Sequence, residues 1–280
     1  MRRISGHYTR LDEKQVSFDF EVPSSWEELD AHQYATVLQV LSYHNSDRFV
    51  IGASLIALLC QNNWDVVSNL PQEELYELLP LTNFMIDEQP PVKNFFPVLN
   101  IRKKKCHAPA EDLSNIGFGE WCFVFQFYSY YRKTNDIVWL EKMIATLYRP
   151  ADPAQVVDSV TFSGDIRERF NENLIEKRAL SVRDIPEKFK LAVFAWFTAA
   201  VNQVMSYRPN VFPPVPEGAE LQEQDDHQED GRTWLSVFRE LLGAKWGTAD
   251  QLKFTNAMFV LDALEEQKIA YDEAMKAAKA

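Results

Sequence analysis

The stretch "FGEWCFVFQFYSYYRK" at 118–133 admits two readings, and the architecture turns on which one holds. Trp121, Phe123, Phe125 and Phe127 alternate like the inward face of a strand. Phe118, Trp121, Phe125 and Tyr128 also share one face of a helix. Strands rarely exceed ~10 residues, so length favours helix. As a helix the block is core; on an exposed sheet the same rings would form a stacking platform for bases.

The surroundings point the same way. Nine glycines in 280 residues disfavour Gly-rich turns, phosphate loops and many-stranded β folds. Asp136 is placed to cap a following helix with Ile137, Leu140, Ile144, Leu147 and Tyr148 inward. That helix closes on Tyr148-Arg149-Pro150, and the apolar helix through "LAVFAWFTAAV" (191–201) closes on Tyr207-Arg208-Pro209. The repeat reads as two parallel stop signals. Proline cannot continue a helix, an arginine suits the negative end of its dipole, and each tyrosine lays its ring on the core with its hydroxyl in water.

Upstream, Ser24-x-x-Glu27 and Asp30-x-x-Gln33 are capping boxes, followed by Tyr34, Val37, Leu38 and Leu41 at helical spacing. "DRFVIGASLIALLCQ" (47–61) is apolar nearly all round and should be central, and Pro71 opens a helix with Leu75, Leu78 and Leu79 on one face. Val16, Phe18, Phe20 and Val22 alternate as a strand, with its best partner near 97–105, where Leu99 and Ile101 alternate with Asn100 and Arg102. The expected fold is mainly α: a multi-helix globular bundle with a small accessory β element.

Residues 1–207 then form a main helical domain, and 208–231 a linker or loop, rich in proline and then acid. Residues 232–280 form a C-terminal helical pair. There Trp234, Val237, Phe238, Leu241 and Leu242 mark one helix, closed by Gly243. Thr248-x-x-Gln251 caps a last helix with Phe254, Ala257, Met258, Leu261 and Leu264 on one face and Phe259, Val260 and Ala263 on a second. Its stripe thins to Tyr271 and Met275.

The net charge of −12 argues against non-specific binding to nucleic acid. Seven of the acids lie in "EGAELQEQDDHQED" (217–230), and the rest of the chain carries an ordinary −5. The one basic run, "IRKKK" (101–105), reads as protection of an edge strand, or as a site for an acidic partner or for 217–230 itself. Cys60, Cys106 and Cys122 form no CxxC pair, and the odd number is a poor disulfide framework, so a reducing cytoplasm is expected. "MRRISGHYTR" has no apolar stretch behind it, and no run is long enough to span a bilayer, so neither a secretory signal nor a membrane is expected.

Common catalytic chemistry has no signature. The five histidines are scattered, with no HExxH, so no metal is expected. No GxSxG or phosphate loop occurs, and the Glu27/Glu28, Glu73/Glu74 and Glu265/Glu266 pairs read as solvated charges. "DIRERF" (165–170) reads as a mixed surface patch that pairs internally. An enzyme would need a site assembled from distant groups such as Asp165, Arg167 and His107.

Three stretches, "VPSSWEELDAHQYATVLQVL", "FGEWCFVFQFYSYYRKTNDIVWLEKMIATLYRP" and "WLSVFRELLGAKWGTADQLKFTNAMFVLDALEEQ", resemble helical proteins of Bacteroidetes-type phages and prophages, encoded among tail and virion-assembly genes. The last of them resembles the helical ends of phage tail assembly chaperones. The resemblance implies a non-enzymatic, cytoplasmic protein without cofactor that binds a helical partner such as the tape-measure protein. A structural component retained in the virion is the alternative. Helix-in-groove recognition would fall to Trp234, Phe238, Trp246, Phe254 and Phe259.

Overall fold

The computed structural model describes residues 1–10, 12–42, 47–61, 63–155, 164–214, 233–243 and 245–279. Among them helix predominates, beside two small antiparallel sheets. The chain divides into two compact units, Met1–Phe95 with Glu187–Ala199, and Phe96–Pro186 with Ala200–Ala280. The C-terminal helices thus group with 118–133 rather than standing apart beyond residue 231. The acidic run 217–230 lies outside the described residues.

In the first unit, β1 (Arg2–Thr9) pairs with β2 (Gln15–Val22), from Arg2↔Val22 to Thr9↔Gln15. The strand expected at 16–22 forms, but its partner is 2–9, not 97–105. A local hairpin, closed by the Arg10 N–H on the Lys14 carbonyl at 3.0 Å, avoids the entropy of closing an eighty-residue loop. Gly6 breaks the apolar alternation of β1 because the Phe18 ring lies across it; a Cβ there would sit 2.8 Å from the ring.

Asp30 and Gln33 form their capping box in both directions, at 2.8 and 3.0 Å, and start α1 (Ala31–Leu41). The Ser24/Glu27 box does not form. Trp26–Glu28 is one 3-10 turn, and Glu28 instead takes the Ser24 N–H at 2.7 Å. The helix α2 (Arg48–Leu59) is central as expected, with Leu55, Ile56, Leu58 and Leu59 buried. Short helices α3 (Trp64–Asn69), α4 (Gln72–Leu78) and α5 (Asn83–Asp87) follow. Tyr8 and Phe18 of the hairpin share a core with Ile56, Cys60, Val66 and Leu75.

In the second unit, β3 (Val98–Ile101), β4 (Lys104–His107) and β5 (Arg149–Pro150) form a sheet in that order. Leu99 and Ile101 are buried, as their alternation predicts. Arg102 and Lys103 make a two-residue turn at φ 46° and 66°. Lys104 and Lys105 lie on β4 ahead of its two-residue pairing with β5, which involves Cys106 and His107 alone, so their place is compatible with guarding the edge there.

Residues 118–133 are helical: α6 (Phe118–Thr134) buries Phe118, Trp121, Cys122, Val124, Phe125 and Tyr128, and ends at Asn135 in the left-handed conformation. The Asp136 side chain accepts from the Val138 N–H at 3.0 Å and starts α7 (Ile137–Leu147). Then come α8 (Ile175–Val182), α9 (Glu187–Ser206), α10 (Trp234–Leu241), α11 (Ala249–Phe254) and α12 (Ala257–Lys279). The last helix of the sequence reading is thus two. The chain turns extended at Thr255, and the Asn256 side chain restarts the helix by accepting from the Met258 N–H at 2.9 Å.

Both Tyr-Arg-Pro sites do stop helices. Arg208 bonds the Val204 carbonyl at 3.0 Å, as a cation at a C-terminus should. The first site departs from expectation: Tyr148 is buried and its hydroxyl donates to the Phe96 carbonyl at 2.7 Å, while Arg149 turns inward. All three cysteines are buried free thiols. Burial pushes Cys60 up to about 11 and raises Cys106 and Cys122 as well. None should react with Ellman's reagent at pH 8 in the native protein, and all three should after unfolding; fast native labelling would overturn this.

Candidate functional site

Of the five sequence-derived contact residues, Trp234 and Phe238 project from α10, whose start is fixed by a Thr233/Ser236 capping box. The Trp234 ring lies 5.5 Å from Phe212, 6.0 Å from Phe125 and 6.2 Å from both Phe118 and Trp121. Phe238 stacks on Phe118 at 6.0 Å. These two aromatics are half-buried and join the core of their own unit. Phe254 lies under the Arg169 guanidinium, 3.5 Å from its ring centre. Trp246 meets Phe259 edge-on at 6.0 Å, and Phe259 is 62% exposed. The fold therefore groups them two, two and one.

The α11–α12 junction is bound to the start of α6 by main-chain pairs. The Phe118 N–H donates to the Thr255 carbonyl at 2.8 Å, and the Ala257 N–H to that of Ile116 at 2.9 Å. Gly117 permits this approach, since a Cβ there would lie 2.8 Å from the Lys253 carbonyl. Beside the junction opens a cavity of about 610 Å³, walled by Asn256, Phe254, Arg169 and Glu120, Arg149, Asp165 and Arg167.

Those last four form one ion cluster. Arg167 donates to Glu120 at 2.8 Å, to Asp165 through Nε and Nη2, both at 2.8 Å, and to the Leu147 carbonyl at 2.6 Å. Arg149 Nη2 reaches Glu120 at 2.9 Å and Asp165 at 3.3 Å. Arg149 Nε and Nη1 meet no acceptor among the described residues, and the Phe170 ring centre lies 5.8 Å from its guanidinium carbon. Burial pushes the Arg149 guanidinium below its usual range, against the pull of Glu120. Burial acts likewise on Arg167, but Glu120 and Asp165 outweigh it, and the net shift is upward.

"DIRERF" is thus no surface patch. Asp165 and Arg167 do pair internally, as expected, but Arg167 is only 2% exposed. Glu120 and Arg149 were missed as its partners. The available signal was a lone acid in a helix apolar on every side, which must be paired to be buried. Of the groups an assembled enzyme site would need, Asp165 and Arg167 line the cavity and His107 does not. All four carboxylate oxygens of Glu120 and Asp165 accept from guanidinium groups, an arrangement suited to holding α6, β5 and the 165–167 segment together.

No family model, curated protein or solved structure matches this chain. Among the described residues, no group of three or more His, Cys, Asp or Glu could hold a metal ion, and no helix is long and apolar enough to cross a membrane.

The last helix carries a different kind of surface. Ala257, Leu261, Leu264, Tyr271 and Met275 fall at alternating steps of four and three, with Lys268 completing the series. Ala257 and Leu261 are fully buried, whereas Tyr271 is 58% and Met275 41% exposed. One stripe therefore begins in the core and ends uncovered.

Proposed function

We propose that this chain is a non-enzymatic phage tail or virion-assembly protein, a chaperone that holds a helical partner such as the tape-measure protein. The observation that carries the reading is the α12 stripe. A seam spaced at four and three is what a second helix packs against, and an apolar face left uncovered at one end invites such a helix. The contact surface shifts accordingly from Trp234 and Phe238 toward Tyr271 and Met275, while Phe259 lies on another face of α12 beside Trp246. The resemblance in the terminal stretch supports the same class of partner.

The test is co-expression with a tagged tape-measure fragment from the same genome. The native chain should co-purify with it, and the Tyr271→Glu/Met275→Glu double variant should lose at least about 90% of the recovery with its unfolding midpoint unchanged, because both side chains are exposed. Equal recovery of the variant would overturn the assignment of this surface. Stoichiometric amounts of the chain in purified particles would replace the chaperone by a retained virion component.

A further inference from the structure

The basic run 101–105 stands outside that reading, and the fold gives it a setting. On the second unit, a cavity of about 310 Å³ lies between the β3–β4 hairpin and α8. Five charged side chains line it, and four are cationic: Arg102, Lys104, Lys177 and Arg178 against Glu168. A local charge of +3 in a chain of net −12 is a pronounced reversal. Its interior is apolar, with Ile101, Tyr148 and Val182 buried and Leu174 at the rim, 36% exposed.

The cations are not equivalent. Arg102 is held by Asp184 at 2.9 Å and by the Leu180 carbonyl at 3.0 Å, and Arg178 by Glu168 at 2.7 Å. Lys104 and Lys177 are exposed and have neither an acid nor an acceptor among the described residues. Two arginines thus have their charge matched and shape the rim, while two lysines keep theirs for something else.

We propose that this cavity is a docking site for an acidic peptide segment of a partner protein, which seats one apolar side chain on the floor and sets carboxylates against Lys104 and Lys177. The volume suits a side chain the size of leucine or phenylalanine. Ammonium groups act as point charges and suit carboxylates that approach from varied directions. A long polyanion such as nucleic acid, or an anionic membrane, would meet the repulsion of the whole acidic molecule. A short peptide samples only the field within a Debye length of about 8 Å.

The experiment is fluorescence anisotropy on the full chain with a labelled peptide in which a phenylalanine is flanked by glutamates. Saturable binding is expected, weakening as salt rises and falling at least about tenfold in the Lys104→Glu/Lys177→Glu double variant. The Lys104→Arg/Lys177→Arg variant should keep it, and a peptide with lysines for glutamates should not bind. Unchanged affinity in the charge-reversed variant, or no saturable binding, would overturn the proposal. Binding seen only after the seven acids of 217–230 are replaced by their amides would overturn the partner in favour of that segment of the chain itself.

Discussion

Replacing Glu120 by alanine should destabilise the protein by about 3–5 kcal/mol, the largest single effect expected outside the apolar core. The side chains of Glu120, Arg149 and Arg167 are 2%, 1% and 0% exposed, so water cannot take over the role of the lost carboxylate. Among the described residues Arg149 would keep only Asp165, at 3.3 Å, and two of its nitrogens are without acceptors there already. Urea unfolding followed by tryptophan fluorescence measures the loss. A double-mutant cycle with Arg167→Met tests its origin: the double variant should be more stable than the sum of the single losses implies, by about 1–3 kcal/mol, because it strands fewer buried charges. A loss below about 1 kcal/mol for Glu120→Ala would mean that the cluster is solvated and holds nothing.

The second large effect separates two aromatic residues that look alike in the sequence. Trp234→Ala should cost about 2–4 kcal/mol, since the ring closes a cluster with Phe118, Trp121, Phe125 and Phe212. Phe259→Ala should stay within about 0.5 kcal/mol of the native protein, because that ring is mostly in solvent. Matched urea titrations of the two variants decide. Equal losses would remove the distinction drawn between core and contact surface. If it holds, a partner assay with Trp234→Ala reports on folding, and the exposed stripe residues Tyr271 and Met275 report on recognition.

The helices were legible where one local rule suffices. Asp30, Asp136 and Thr248 cap as their positions imply, since a cap depends chiefly on the next three residues, although Ser24 shows that the spacing alone does not suffice. The helical reading of 118–133 followed from length. What escaped was the identity of partners. β1 hides because Gly6 removes the middle of its apolar face, so the strand at 16–22 was given a partner some eighty residues away. The ion cluster joins positions 120, 149, 165 and 167, which no periodicity links; a buried charge is recognised by its partner, and the partner lay on another segment. The break at Thr255–Asn256 was missed because the apolar spacing runs through it unbroken, while the asparagine side chain quietly restarts the helix.

Main-chain pairing of Gly117 and Phe118 with Thr255–Ala257 has a mechanical corollary. The 23 residues of α12, at about 1.5 Å each, make a rod of roughly 35 Å that is clamped near its origin. Such a rod is a lever arm. Torque applied along its far half meets the Glu265 contacts with Asn210 and Val211 and the Asp262–Arg208 pair before it reaches the first turn of α6, where Glu120 grips both arginines.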